Sequence, residues 1–138
     1  MIEYNEFEVT LLEDLKDILS ESEVLKGYLK REDIYLLDVP EDSKEHETVV
    51  RLNYITDNPT VFYGSESHGD SYVIQIDVWK RIDSDNSVAL TRGLANRVRK
   101  VLKDLDFITQ SSEDTGKEGD VNMYKVSRRY LGVLRKSY

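Results

Sequence analysis

The chain has 138 residues, a formal net charge of −8, two histidines and no cysteine. One domain with a real core is the simplest division of that length. Disulfides and thiolate metal sites are excluded, and no apolar run approaches the ~20 residues that cross a bilayer as a helix. The opening Met1-Ile2-Glu3-Tyr4-Asn5-Glu6 is acidic and lacks the apolar stretch of a secretory signal, so a soluble intracellular protein is expected.

Residues 7–19 read as an amphipathic helix. Leu11 or Leu12, Leu15, Ile18 and Leu19 make its apolar stripe, and Glu8, Glu13, Asp14 and Asp17 lie outside it. Ser22 is placed to cap a short helical piece through Leu29, which Gly27 weakens. Ile34–Val39 is a short strand ending at Pro40, and Glu41–Glu47 is a charged turn. A strand over 48–55 puts Val50, Leu52 and Tyr54 on one face and Arg51 and Asn53 on the other. Pro59 ends that region, and 58–70 is expected to be a loop with a short extended piece at Val61-Phe62-Tyr63.

The strand over 71–80 is the clearest element. Tyr72, Ile74, Ile76 and Val78 share one face, with Gln75, Asp77 and Trp79 on the other. After the polar turn 83–87, a helix runs to 105 on Leu90, Leu94, Val98, Val101, Leu102 and Leu105. A strand is expected over 106–110, then a polar hairpin loop or mobile flap over Ser111–Asp120. The last strand, 121–134, carries Tyr124, Val126, Tyr130 and Leu134 on one face. Arg128 interrupts that face, so a bend or a departure from the sheet is expected there.

The connections are too short for parallel crossovers except across the central helix. The expected fold is therefore α+β: a mostly antiparallel sheet with helices packed on one face. Ile74, Ile76, Leu94, Val98 and Val101 are expected in the core.

No catalytic kit is legible. Glu66, His68 and Asp70 are the one grouping with the chemistry for a general base or a divalent metal. They lack an orienting partner of the kind that metal-bound histidines have, and they are expected to be exposed loop residues with no metal. Asp83-Ser84-Asp85-Asn86 lacks the central Gly and closing Glu of a calcium loop and reads as a turn with a helix N-cap. No Gly-rich phosphate loop is present, so no cofactor is expected. Arg92, Arg97, Arg99, Lys100 and Lys103 crowd the second helix, but the acidic total opposes direct nucleic-acid recognition. The charge is divided along the chain. Residues 1–60 carry 6 Lys+Arg against 16 Asp+Glu, a balance of −10, and residues 61–138 carry 13 against 11, a balance of +2. Such polarity suits a subunit that meets others.

The run Tyr72-Val73-Ile74-Gln75-Ile76-Asp77-Val78-Trp79-Lys80 resembles a strand in the small tail completion and tail terminator proteins of long-tailed bacteriophages. The helix Ala95-Asn96-Arg97-Val98-Arg99-Lys100-Val101-Leu102, the Arg128-Arg129-Tyr130 pattern in the last strand and the Val49-Val50-Arg51-Leu52 strand fit the same order. The resemblance implies a single tail-terminator-like domain over 1–138, without enzymatic activity, working as a ring, typically a hexamer. That ring would cap the tail tube and join it to the head-completion or connector protein. It also implies a place in the virion tail after assembly in the host bacterial cytoplasm. A ring needs two unlike surfaces per subunit, and Arg92, Arg128, Arg129, Tyr63 and Trp79 are the candidate contact residues. A second reading, from another class, is a small cytoplasmic enzyme or ligand-binding domain with its site near Glu66, His68 and Asp70.

Overall fold

Alternating and helical periodicities resolve into a helix layer on one five-stranded sheet. The structure, a computed structural model, describes residues 6–39, 47–63, 66–82, 86–117 and 123–135. For 6–9, 56–63, 66–71, 115–117 and 133–135 it describes the backbone alone. The elements are α1 (Glu6–Glu21), β1 (Ile34–Leu36), β2 (Thr48–Tyr63), β3 (Glu66–Arg81), α2 (Ser87–Asp104), β4 (Ile108–Lys117) and β5 (Met123–Arg135). A single 3-10 turn, Arg31–Asp33, precedes β1. The sheet order is β1-β2-β3-β5-β4. All neighbours are antiparallel except β1 and β2, where Ile34 stands opposite Val50 in a parallel pair. The fold is thus α+β with a mostly antiparallel sheet. The parallel pair lies at the β1 edge, whereas the sequence pointed to the crossover through the central helix. Across that crossover β5 is inserted between β3 and β4, so β3 and β4 never touch as neighbours.

Register explains the core. Val50, Val78 and Val126 align across three strands, as do Tyr54, Ile74 and Tyr130, and Leu52 aligns with Ile76 across two. These residues meet Leu12, Leu15 and Leu19 of α1 and Leu94, Val98, Val101 and Leu102 of α2 in one cluster. Both helices therefore cover the same sheet face. Ile74, Ile76, Leu94, Val98 and Val101 are all buried, as their spacing predicts. The α2 stripe needs one correction. Leu90 and Leu105 are exposed, while Ser87, Thr91 and Ala95 face inward. Thr91 is tolerated there because its hydroxyl donates to the Ser87 carbonyl at 2.6 Å.

Four further expectations change. Ser22 does cap, accepting from the Val24 N–H at 3.2 Å, but the residues after it form a run of turns through Tyr28. Gly27, at φ +84°, takes a conformation a longer helix would forbid. Within 58–70, the described residues belong to β2 and β3, which stay paired to Tyr63 and Glu66. Register shifts between Asn58 and Val61 and between Val61 and Phe62 accommodate Pro59, which cannot donate to a regular ladder. Residues 111–117 are the body of β4 and not a flap, because pairing with β5 supplies the order that side-chain burial does not. Residues 118–120 of that stretch, 121–122 of the last strand, 83–85 of the turn before α2 and 41–46 of the charged turn lie outside the described residues. Finally, β5 neither bends out at Arg128 nor leaves the sheet. It pairs with β3 without a register shift from Met123 to Arg135.

Candidate interaction surface

The odd-numbered residues of β3 face away from the helices, and among the described residues no helix covers that side. Val49 and Arg51 of β2 stand opposite Trp79 and Asp77, and Lys125, Ser127 and Arg129 of β5 stand opposite Trp79, Asp77 and Gln75. An antiparallel sheet with one face on a core and one toward water should alternate apolar and polar residues; Arg51, Gln75, Ser127 and Arg129 follow that rule on the outward side, whereas Val49 and Val73 are apolar and buried there. The unusual member is Asp77, whose side chain is 0 % exposed on the outward face.

A buried carboxylate has to be neutralised and hydrogen-bonded, and Asp77 has both. Arg51 donates from Nε at 2.9 Å and from Nη2 at 2.5 Å to Oδ2. Gln75 Nε2 donates to Oδ1 at 2.9 Å, and the Ser127 hydroxyl donates to the same oxygen. Gln75 is thereby oriented with its carbonyl toward β5, where Arg129 Nε donates to it at 3.1 Å. The chain Arg51–Asp77–Gln75–Arg129 thus crosses three strands and fixes two guanidinium groups on one surface. Trp79 completes it. The Arg51 guanidinium stands 5.3 Å and the Lys125 ammonium 5.1 Å from the ring centroid, both over the indole. Beside this lattice is a hollow of about 370 Å³ lined by Gln75, Ser111, Glu113, Lys125, Ser127 and Arg129. It is shallow and mixed in charge. Its chemistry suits binding of polar and anionic side chains through fixed donors.

The helix layer adds a second kind of surface. α1 covers the β1–β2 end of the sheet and α2 the β3–β5 end. The sequence of α1 holds six acids and one base, and that of α2 holds five bases and one acid. Arg97 ties the two halves together. It donates to the Val24 carbonyl and the Tyr28 hydroxyl, each at 3.0 Å, and stacks on the Tyr28 ring at 3.9 Å.

The candidate contact residues do not share one surface. Trp79 and Arg129 are together on the outward sheet face. Arg92 is on α2, held by Asp114 of β4 at 2.5 Å, a pairing that raises its already high pKa. Arg128 points to the helix side, in register with Ile76. Its Nε donates to Ser112 Oγ at 3.0 Å, its Nη1 is buried without a hydrogen-bond partner, and it contacts Tyr130. Tyr63 ends β2, opposite Glu66. Glu66, His68 and Asp70 are the opening residues of β3, in a strand and not a loop, with Asp70 opposite Leu134. Whether their side chains converge lies outside the described residues, as does His46. Among the described residues no group of three or more acids and histidines is placed to hold a metal ion, and no helix is long and apolar enough to cross a membrane.

Sequence reasoning missed the Arg51–Asp77 pair. It put both residues on the polar sides of their strands, and opposite charges on two such sides were the available signal. Register, which makes them cross-strand partners, was not. A scan against protein-family models finds no match, and a search of curated proteins finds no similar sequence.

Proposed function

We propose that this chain is a virion-assembly protein of a long-tailed bacteriophage, a tail completion or tail terminator subunit. It closes the tail tube as a ring and joins it to the head connector, with no catalytic step and no cofactor. The single observation that carries the reading is the pair of unlike ends on one sheet: an acidic helix over β1–β2 and a basic helix over β3–β5. A ring closes only if each subunit offers two different, complementary surfaces. The sequence resemblance to tail completion proteins supplies the biological setting. The outward face around Trp79, Lys125 and Arg129 then serves as a contact surface for the tail tube or connector, because its donors are held in place before a partner arrives.

The test is direct. The purified chain, mixed with tail tubes that lack their terminator, should cap one end of each tube in negative-stain images and render them competent for head joining. Free tubes with unchanged ends at saturating protein would overturn the reading. Turnover of a small molecule that is lost in His68→Ala would replace it with the enzyme alternative.

A further inference from the structure

We infer that the cleft between α2 and the turns after α1 receives the C-terminus of a partner chain. The free α-carboxylate of that chain meets Lys80, and its last side chain, an apolar one, sits between Tyr28 and Leu90. The cleft is on the helix side of the sheet, apart from the outward face around Trp79. The inference is read from the single subunit and does not depend on the ring.

Two strand ends make the floor. Thr48 at the start of β2 stands opposite Lys80 near the end of β3, and both share the helix-facing side with Val50 and Val78. Lys80 Nζ donates to Thr48 Oγ1 at 3.1 Å. The threonine is buried and the lysine half-buried. Among the described residues no carboxylate stands within ion-pair distance of that ammonium. An ammonium has three protons, and a hydroxyl that accepts one of them keeps its own to donate. The pair therefore offers donors to both oxygens of one carboxylate, and charge-assisted bonds of this kind are the strong ones.

The walls are apolar. Leu29 and Leu94 are buried at the base, while Tyr28 and Leu90 stand out at 52 % and 54 % exposure. Arg97 holds the tyrosine lip in place, donating to the Tyr28 hydroxyl at 3.0 Å and stacking on its ring. Gly93 keeps the space between the lips open. It is inside α2, where glycine weakens a helix. Its φ is not positive, and a Cβ there would meet nothing within 4 Å. Neither turn geometry nor close packing within the subunit calls for glycine at this position. Its missing side chain lets a ligand lie against the helix.

Size and charge select the occupant. The cleft holds about 620 Å³, within the range of about 300–1,000 Å³ for ligand sites and more than one side chain fills. Its rim balances Lys30, Lys80 and Arg97 against Glu32, Asp33 and Glu47. A polyphosphate would meet those three acids. A single carboxylate carried on an apolar group meets one ammonium and an apolar wall. A chain end supplies that chemistry, with a backbone to fill the rest of the cleft.

The experiment titrates the nitrogen-labelled chain with acetyl-glycyl-alanyl-leucine and with the same tripeptide closed by a C-terminal amide. The acid should move the amide signals of Tyr28, Thr48, Lys80, Leu90 and Gly93, and the amide form should bind about tenfold more weakly or worse. Lys80→Met should weaken the acid by about the same factor and leave the amide form unchanged. Gly93→Leu fills the cleft with a better helix former. It should abolish binding of both peptides while melting no lower than the wild type, which separates a filled cleft from a lost fold. Equal affinity for acid and amide, binding that survives Gly93→Leu, or no binding at millimolar peptide overturns the inference. Equal affinity for isocaproate, which has the same branched end and carboxylate but no backbone, overturns the assignment to a chain terminus.

Discussion

At the scale of single residues, the Arg51–Asp77 pair is asymmetric, and the asymmetry is measurable. The Asp77 side chain is 0 % exposed and that of Arg51 is 27 % exposed. Arg51→Ala leaves a carboxylate buried without its cation, which should cost about 3–5 kcal/mol. Asp77→Asn leaves a guanidinium that can turn to water and an amide that keeps part of the hydrogen-bond set, a loss of about 1–3 kcal/mol. Urea unfolding of the two variants should rank them in that order, and an equal or inverted ranking would mean that Asp77 is less enclosed than described. Tyr130 gives a second prediction. Burial raises its phenol above the ordinary value of 10.0, with Arg128 and Arg99 opposing. The folded state therefore holds this proton more tightly than the unfolded chain does. Its contribution is fully present below the unfolded value and is lost as pH rises through the folded one. Stability should fall above about pH 10, and Tyr130→Phe should flatten that slope while lowering stability at neutral pH through the lost Arg128 contact. A slope unchanged in Tyr130→Phe would assign the alkaline loss to other groups.

At the scale of elements, the end of α2 shows how a junction is built without its usual residue. The Phe107 N–H reaches the Leu102 carbonyl at 2.9 Å and the Asp106 N–H reaches that of Lys103 at 3.0 Å. This is the closing motif in which the residue after the cap turns left-handed. Asp106 adopts that conformation at φ 66°, where glycine is the usual occupant. Asp106→Gly should keep the fold and gain up to about 1 kcal/mol, and Asp106→Val should lose stability. A thermal melt that ranked valine above glycine would count against the assigned geometry. The motif delivers Phe107 onto Gly132, where an added Cβ would collide with the ring, and so fixes where β4 leaves the helix. Elements with an apolar face were legible in the sequence, because period two and period 3.6 reflect burial directly: 71–80, 87–105, 7–19 and the inner half of β2. The outer half of β2, the start of β3 and β4 were not. Thr56–Pro59 and Ser111–Thr115 have the composition of turns, and what orders them is the ladder to a neighbouring strand. The outward lattice was half legible. The sides of Arg51, Gln75, Asp77 and Trp79 follow from alternation, but their partnership depends on register between segments far apart in sequence.

At the scale of the molecule, the core cluster draws residues from α1, the turn after it, β1, β2, β3, α2 and β5. Each helix alone has nothing to bury against except the shared sheet, so neither half of the charge-divided chain should persist without the other. A two-state transition is therefore expected for a chain of this size. Trp79, the one tryptophan, is on the outward sheet face between Arg51 and Lys125 and reports the sheet by fluorescence, while far-ultraviolet circular dichroism is dominated by the helices. The two signals should trace a single transition in urea with one midpoint. Leu19→Ala in α1 and Val98→Ala in α2 remove fully buried side chains from opposite ends of the layer. The leucine should cost about 2–5 kcal/mol and the smaller valine less, and each should move both signals together. If Leu19→Ala shifted the circular dichroism while the Trp79 transition stayed in place, α1 would be a separately melting unit. The acidic and basic ends would then belong to two cooperative bodies instead of one rigid subunit.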